Sequence, residues 1–289
     1  MSGPVRRLHS LLIATLLFYG VHGPRHRGKY WLHKRIRKLL KVSIGPNDVK
    51  VARAGLWWLL NPADFTQEDF FWLGTYDTWK VFHILRRLEP HSVIFDIGAN
   101  FGYYSLILSR ALSHLCTVYS FEPNPPTFNR LRANIDQNGL RNIFAYQLGI
   151  ADRAMSAGIV ERPGNSGAAT ISVSAGNEIK LIALDEFCAE QRIARLDFVK
   201  IDVEGFEERV LEGGQRTLQQ FQPYILIELN PVALARQKTS ISSVTRLLRE
   251  YGYQIFRINR RTLRPLDELP KGEGYIDAFC MHTNQSVPR

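Results

Sequence analysis

A strand that breaks through a glycine turn into a helix constrains this chain more than anything else: Val93-Ile94-Phe95-Asp96-Ile97-Gly98-Ala99-Asn100-Phe101-Gly102-Tyr103-Tyr104-Ser105-Leu106. Its apolar part shows no alternation, which demands burial on both faces and therefore a parallel sheet between helix layers. Comparable runs recur at 117–121, 143–148, 197–202 and 224–229, separated by helix-like stretches at 102–113, 126–138, 206–218 and 241–251. Runs at 254–258 and 275–282 complete seven strands, and the short link between them predicts an antiparallel final pair. In such sheets ligands bind beyond the strand carboxyl ends, where Asp96, Glu122 and Asp202 all fall.

The first turn aims backbone N–H groups and a helix N-terminus at one point. Glu122 ends the second strand, where a carboxylate can accept hydrogen bonds from both hydroxyls of a ribose. A nucleoside cofactor is therefore expected, and the turn narrows its kind. Dinucleotide sites need Gly-x-Gly-x-x-Gly, whereas here Gly98 and Gly102 flank Asn100, and no Lys-Ser/Thr pair follows. This disfavours a nicotinamide-dependent oxidoreductase and a phosphate-cradling loop. Asp96 would repel a pyrophosphate but suits an α-ammonium or a sulfonium. S-adenosylmethionine carries both, plus a ribose for Glu122. The same residues also allow a plainer reading, in which Asp96 caps the turn and Gly98 permits tight packing.

Lys200, Asp202 and Glu204 repeat at period two and point to one side. Gly205 permits a turn, and Glu207 falls in the first turn of the next helix. Asp202 and Glu204 are the expected catalytic pair, positioning or deprotonating an acceptor hydroxyl. A Lys in mid-strand must be paired, and Glu228 on the adjacent strand and Asp202 are its expected partners. No His joins these acids, so a metal is not expected. The backbone at Gly149 and Ile150 is the expected neighbour of an adenine ring. A hairpin at 157–172 interrupts the alternation; Asn165 and Ser166 at its tip are either substrate contacts or simply turn-formers.

Several blocks, taken together, resemble the FkbM-type methyltransferases, a branch of the class I S-adenosylmethionine-dependent enzymes. They are Phe95 to Tyr104, Phe121-Glu122-Pro123-Asn124, Leu184-Asp185, Lys200-x-Asp202-x-Glu204-Gly205 with Leu211-Glu212-Gly213, and Leu226-Ile227-Glu228. The resemblance covers roughly residues 50–282 and implies a Rossmann-like α/β fold. Its seven-stranded, mostly parallel sheet would have the order 3-2-1-4-5-7-6, the last strand antiparallel. It implies S-adenosylmethionine bound at Asp96, Gly98, Asn100, Gly102, Glu122, Pro123, Gly149, Ile150 and Asp202, and O-methylation of a sugar or other small hydroxylated metabolite, free or linked to a glycan or lipid. N-methylation, or a catalytically weak membrane-surface protein of the same fold, is the alternative. Asp77 stands where the family carries Glu, so a substrate contact there loses one methylene. Nucleobase acceptors are disfavoured because the Asn/Asp-Pro-Pro-aromatic element of DNA amino-methyltransferases is missing at Asp202 to Gly205.

Three segments are expected: a basic extension over 1–47, a preface over 48–90, and the methyltransferase domain over 91–283. The net charge of +10 arises in the extension, which holds ten Lys or Arg and no acid. The body is neutral, so its charge says little about the substrate. Within the extension, 9–19 is apolar but shorter than the roughly 20 residues a spanning helix needs. It has basic residues before it, yet lacks an evident signal-peptide cleavage site after Gly20. Residues 25–41 hold eight Lys or Arg with Leu32, Ile36, Leu39 and Leu40 at helical spacing. Such a helix either turns Trp31, Ile36 and Leu40 onto the body or lies at an anionic membrane surface. No nucleic-acid motif accompanies it. Cys116, Cys188 and Cys280 are too few and too scattered for a disulfide framework, which predicts buried thiols and a reducing, cytoplasmic compartment, with membrane association as the alternative that the basic extension adds.

Overall fold

The computed structural model describes residues 3–24, 28–39, 47–172, 177–266 and 274–285. The chain forms two compact units, one of residues 1–77 with 163–166 and the other of 78–162 with 167–289. The division falls after Asp77. The reason is that helix Thr78–Leu85 is tied into the second unit: Lys80 pairs with Asp277, and His83 Nε2 bonds the Arg260 carbonyl at 2.7 Å.

The second unit is built on a mixed sheet. Strands Ile143–Tyr146, Thr117–Phe121, Val93–Ile97, Phe198–Ile201 and Tyr224–Leu229 lie side by side and parallel. Ile276–His282 follows, antiparallel to Tyr224–Leu229 and to its other neighbour Tyr253–Asn259. The sheet has eight strands, not the seven expected, because Thr262–Pro265 adds itself to the edge by a tight return from Tyr253–Asn259. A four-residue, mostly exposed edge strand ending in Pro has no apolar run to announce it.

The expected hairpin at 157–172 is present and is part of more. Met155–Val160 and Thr170–Ser172 pair antiparallel, and Gly149–Ala151 and Asn177–Ala183 extend them into a second, four-stranded sheet. The helix expected over 206–218 is two helices, Glu207–Gly213 and Gln215–Phe221. The break is at Gly214, where a Cβ would sit 2.7 Å from Leu184 Cδ2. Asp185 caps the second helix, its carboxylate accepting from the N–H of Thr217 at 2.8 Å and of Arg216 at 3.1 Å. Between sheet and helices Phe187 meets Phe95 and Phe121 edge-on, with centroids 5.9 and 4.7 Å away. Fully burying one such ring contributes roughly 1.5–3 kcal/mol. All three cysteines are free and buried.

The first unit contains helices Gly3–His22, Lys29–Leu39 and Phe65–Leu73 and the hairpin strands Val49–Arg53 and Leu56–Leu60. Trp58 and Phe70 meet edge-on at 4.9 Å in its core. Asp64 caps the third helix, accepting from the Thr66 N–H at 3.0 Å. The helix Lys29–Leu39 turns inward a face about 100° round from the apolar stripe its spacing predicts. Its buried residues are His33 and Arg37. The His33 ring bonds the Leu16 carbonyl at 3.0 Å, while Arg37 pairs with Glu68 at 2.6 Å and lies over the Trp72 ring. Leu32, Leu39 and Trp31 face outward and Ile36 is half-buried; Leu40 lies outside the described residues. Among the described residues, no helix is long and apolar enough to cross a membrane.

Candidate functional site

The candidate site lies at the carboxyl ends of the central parallel strands of the second unit. Register sets Asp96 opposite Ser120 on one side and opposite Lys200 on the other. Lys200, only 5% exposed, donates to the Gly98 carbonyl at 2.7 Å. Its ammonium stands 3.3 Å from Asp202 Oδ2, 3.7 Å from Asp96 Oδ1 and 5.3 Å from the centroid of the Tyr104 ring. Burial pulls the Lys200 pKa down, but the carboxylates of Asp202 and Asp96 more than reverse this and hold it above the ordinary lysine value.

Of the two partners expected for Lys200, Asp202 is in place, whereas Asp96 stands where Glu228 was expected. Lys200 stands opposite Leu226, so Glu228 is level with Asp202 and not with the ammonium. Glu228 instead lies 3.7 Å from Lys80, which binds Asp277 at 2.6 Å. Burial and the neighbouring Asp202 push the Glu228 carboxyl up to about 8, with Lys80 opposing.

Asp96 serves the turn as well as the charge. Its Oδ2 accepts from the Ser105 N–H at 3.0 Å and from the Ser105 hydroxyl at 2.6 Å, while Oδ1 is buried and accepts no hydrogen bond. Glu122 closes the next strand. One oxygen accepts from the Asn100 N–H at 2.9 Å and the other from the Asn124 N–H at 3.0 Å. Burial raises its pKa to about 7 against those two bonds. Asn124 Oδ1 is a second buried oxygen without a donor.

Two turns are pressed together here. Gly98, Asn100 and Gly102 have φ of 78°, 49° and 93°, and Glu204 and Gly205 have 52° and 111°. A Cβ on Gly98 would lie 1.8 Å from the Asp202 carbonyl oxygen. Glu204 therefore holds a left-handed conformation that costs a non-glycine residue of order 1–2 kcal/mol, a sign of functional constraint. Glu207 supports this turn, accepting from the N–H groups of Val203 and Gly205, both at 3.2 Å. Burial, then Asp202 and Glu207, raise the Glu204 pKa to about 7, while Arg162 and Arg236 oppose the shift. Among the described residues, no three His, Cys, Asp or Glu side chains converge as a metal site requires.

Gly149 and Pro123 are brought together; a Cβ on Gly149 would lie 3.5 Å from Pro123 Cβ. Ile150 packs its side chain into the core, so only its backbone remains for a ligand. Asp77, Asn165 and Ser166 belong to the first unit. Asp77 has a left-handed φ of 44°. Asn165 accepts from the Thr66 hydroxyl at 3.1 Å, and the Ser166 N–H donates to Asp64 at 2.8 Å, so the tip residues are engaged in structural bonds. Lys80, Asp277, Arg162 and Arg236 are charged neighbours that sequence reasoning missed. Asp277 alone carried a signal, as the one acid in the apolar run 276–282.

Four carboxyls with raised pKa make a pH prediction. Glu122, Glu204 and Glu207 stand at about 7 and Glu228 at about 8, against roughly 4.3 in an unfolded chain. The folded state therefore binds more protons in between, and the stability they contribute is lost as pH rises through 7 to 8. Thermal melting of the ligand-free protein is expected to fall by several degrees from about pH 5.5 to about pH 8.5. A rise over that window would contradict the burial of these acids.

The family model described as Methyltransferase FkbM domain matches residues 96–255, which include every acid of this site except Asp277. The hexuronic acid methyltransferase AglP of Haloferax volcanii is 28% identical over 178 residues, covering 61% of this chain and 70% of that protein. The 31-O-demethyl-FK506 methyltransferase FkbM of Streptomyces tacrolimicus is 29% identical over 202 residues, covering 58% and 75%. A solved FkbM methyltransferase from Methylobacillus flagellatus superposes with a TM-score of 0.46 at 16% identity, over 68% of this chain and 44% of its own.

Proposed function

Because the chain belongs to the FkbM methyltransferase family, we propose that it transfers a methyl group from S-adenosylmethionine to a hydroxyl of a sugar or another small hydroxylated metabolite. The observation that carries this reading is the unequal pair on one turn, Asp202 ion-paired to Lys200 and Glu204 raised to about 7. A carboxylate ion-paired to an ammonium beside one poised near neutrality suits an acceptor that must be held and also lose a proton. The two relatives, one named for a hexuronic acid and one for a 31-O-demethyl position, agree with a hydroxyl-bearing acceptor.

The residues present fit the cofactor. S-adenosylmethionine supplies an electrophilic methyl on a sulfonium centre. Asp96 Oδ1, which has the Lys200 ammonium at 3.7 Å but accepts no hydrogen bond, and Asn124 Oδ1 are buried acceptors that its ammonium and hydroxyl donors would satisfy. Glu122 keeps free lone pairs for a ribose while its backbone bonds fix its orientation. Gly149 and Ile150 offer backbone to the adenine, and Gly98, Asn100 and Gly102 hold the turn that lines the pocket. Asp202 orients the acceptor, Glu204 takes its proton, and Glu228 with Lys80 completes the charged rim. Much of the rate gain comes from holding the reactants in line, worth roughly 7–11 kcal/mol.

Titration calorimetry tests the cofactor half. Glu122→Ala removes hydrogen bonds to a charged group worth about 1.5–3 kcal/mol, so S-adenosylmethionine should bind roughly ten- to a hundredfold more weakly. Unchanged affinity would remove Glu122 from the site. A labelled-methyl assay on uronic acid glycosides and matched amino sugars tests the acceptor half; label found only on nitrogen overturns the hydroxyl assignment.

A further inference from the structure

Helix Lys29–Leu39 leaves a surface that the methyl-transfer reading does not use. Its outward face carries Trp31, 60% exposed, and Leu39, 79% exposed, together with Arg35 and Lys38. The first unit, about a quarter of the chain, carries eight of the fourteen large apolar side chains exposed among the described residues. Four of its exposed rings stand beside cations. Arg35 lies 5.1 Å from the Trp31 ring centroid, Lys34 lies 5.5 Å from Tyr30 and 5.8 Å from Phe65, and Lys50 lies 5.2 Å from Trp57.

Aromatic rings beside cations on a short helix suit the boundary between lipid headgroups and acyl chains: the rings enter, and the cations meet phosphate. The charge selects among occupants. Residues 1–47 hold ten Lys or Arg and no acid, so a second copy of this face would meet like charge. Nucleic acid would satisfy the cations but leave Leu39 and the outward Leu11 and Phe18 of helix Gly3–His22 in water. We propose that the first unit is a docking surface for an anionic phospholipid bilayer, with helix Lys29–Leu39 lying in the membrane interface. This inference stands independently of the methyl-transfer reading.

Co-sedimentation of the full chain with phosphatidylserine-containing vesicles, and with vesicles of phosphatidylcholine alone, tests it. Binding is expected to the first, weak binding to the second, and a decline as salt rises. Each cation neutralised should weaken binding about fivefold, so Arg35→Gln/Lys38→Gln should lose about 25-fold. Trp31→Ser should lower binding without changing the charge. Both positions are exposed, and melting temperatures matching the wild type verify that the variants fold. Equal binding by wild type and Arg35→Gln/Lys38→Gln overturns the proposal. So does no binding to anionic vesicles, whether the surface then retains RNA or joins two copies of the chain.

Discussion

Glu204→Gln is expected to lower kcat by about 10²–10⁴-fold, the range for loss of a positioned general base. Cofactor affinity and melting temperature should stay close to wild type, because Gln keeps the shape of Glu and the left-handed turn is held by Glu207 from below. The sign of the pH dependence follows from the environment. Burial and then the charge of Asp202 hold the proton on Glu204 up to about 7. The wild-type rate should therefore rise through pH 7 as the base ionises, and that limb should vanish in the variant. Single-turnover measurements with labelled S-adenosylmethionine separate this step from product release. A variant that keeps both rate and limb moves the role to Glu228, whose carboxyl stands at about 8.

Gly98→Ala should be among the most damaging single methyl additions in the protein, at about 3 kcal/mol or more. Two costs add. The backbone at φ 78° disfavours any side chain, and the new Cβ would fall 1.8 Å from the Asp202 carbonyl oxygen. That carbonyl does not move freely, since the N–H of the same peptide plane, that of Val203, donates to Glu207 at 3.2 Å. Gly139→Ala is the control. Gly139 also has a positive φ, 63°, but its Cβ would meet nothing within 4 Å, so it should show only the strain of about 1–2 kcal/mol. Denaturant midpoints compare them directly. Equal losses would mean that the two turns do not press on one another. Cofactor binding should fall only in Gly98→Ala.

Strands and site turns were legible because their causes are local. Continuous apolar runs force two-sided burial, and glycines mark the positions where the backbone needs left-handed φ. What sequence reasoning missed depends on register or on a partner far along the chain. Neighbouring strands suggest Glu228, beside Asp202, as a partner of Lys200; only the pairing of Lys200 with Asp96 and Leu226 decides that Glu228 sits two residues too far. Helix Lys29–Leu39 was read by its apolar stripe. The structure buries His33 and Arg37 instead, because Leu16, Glu68 and Trp72 satisfy them, and a hydropathy pattern holds no record of those partners. Asn165 and Ser166 were candidates for substrate by their position in a loop, and their bonds to Thr66 and Asp64 come from a segment a hundred residues away.

The hairpin tip also bears on how this protein can be divided. Residues 163–166 group with the first 77, so one folding unit is assembled from two stretches of sequence. A truncation that started the chain at Thr78 would remove Asp64, the acceptor of the Ser166 N–H, and Thr66, the donor to Asn165. The methyltransferase core is thus not separable by a single cut, and modular exchange of the N-terminal part would have to carry the hairpin tip with it.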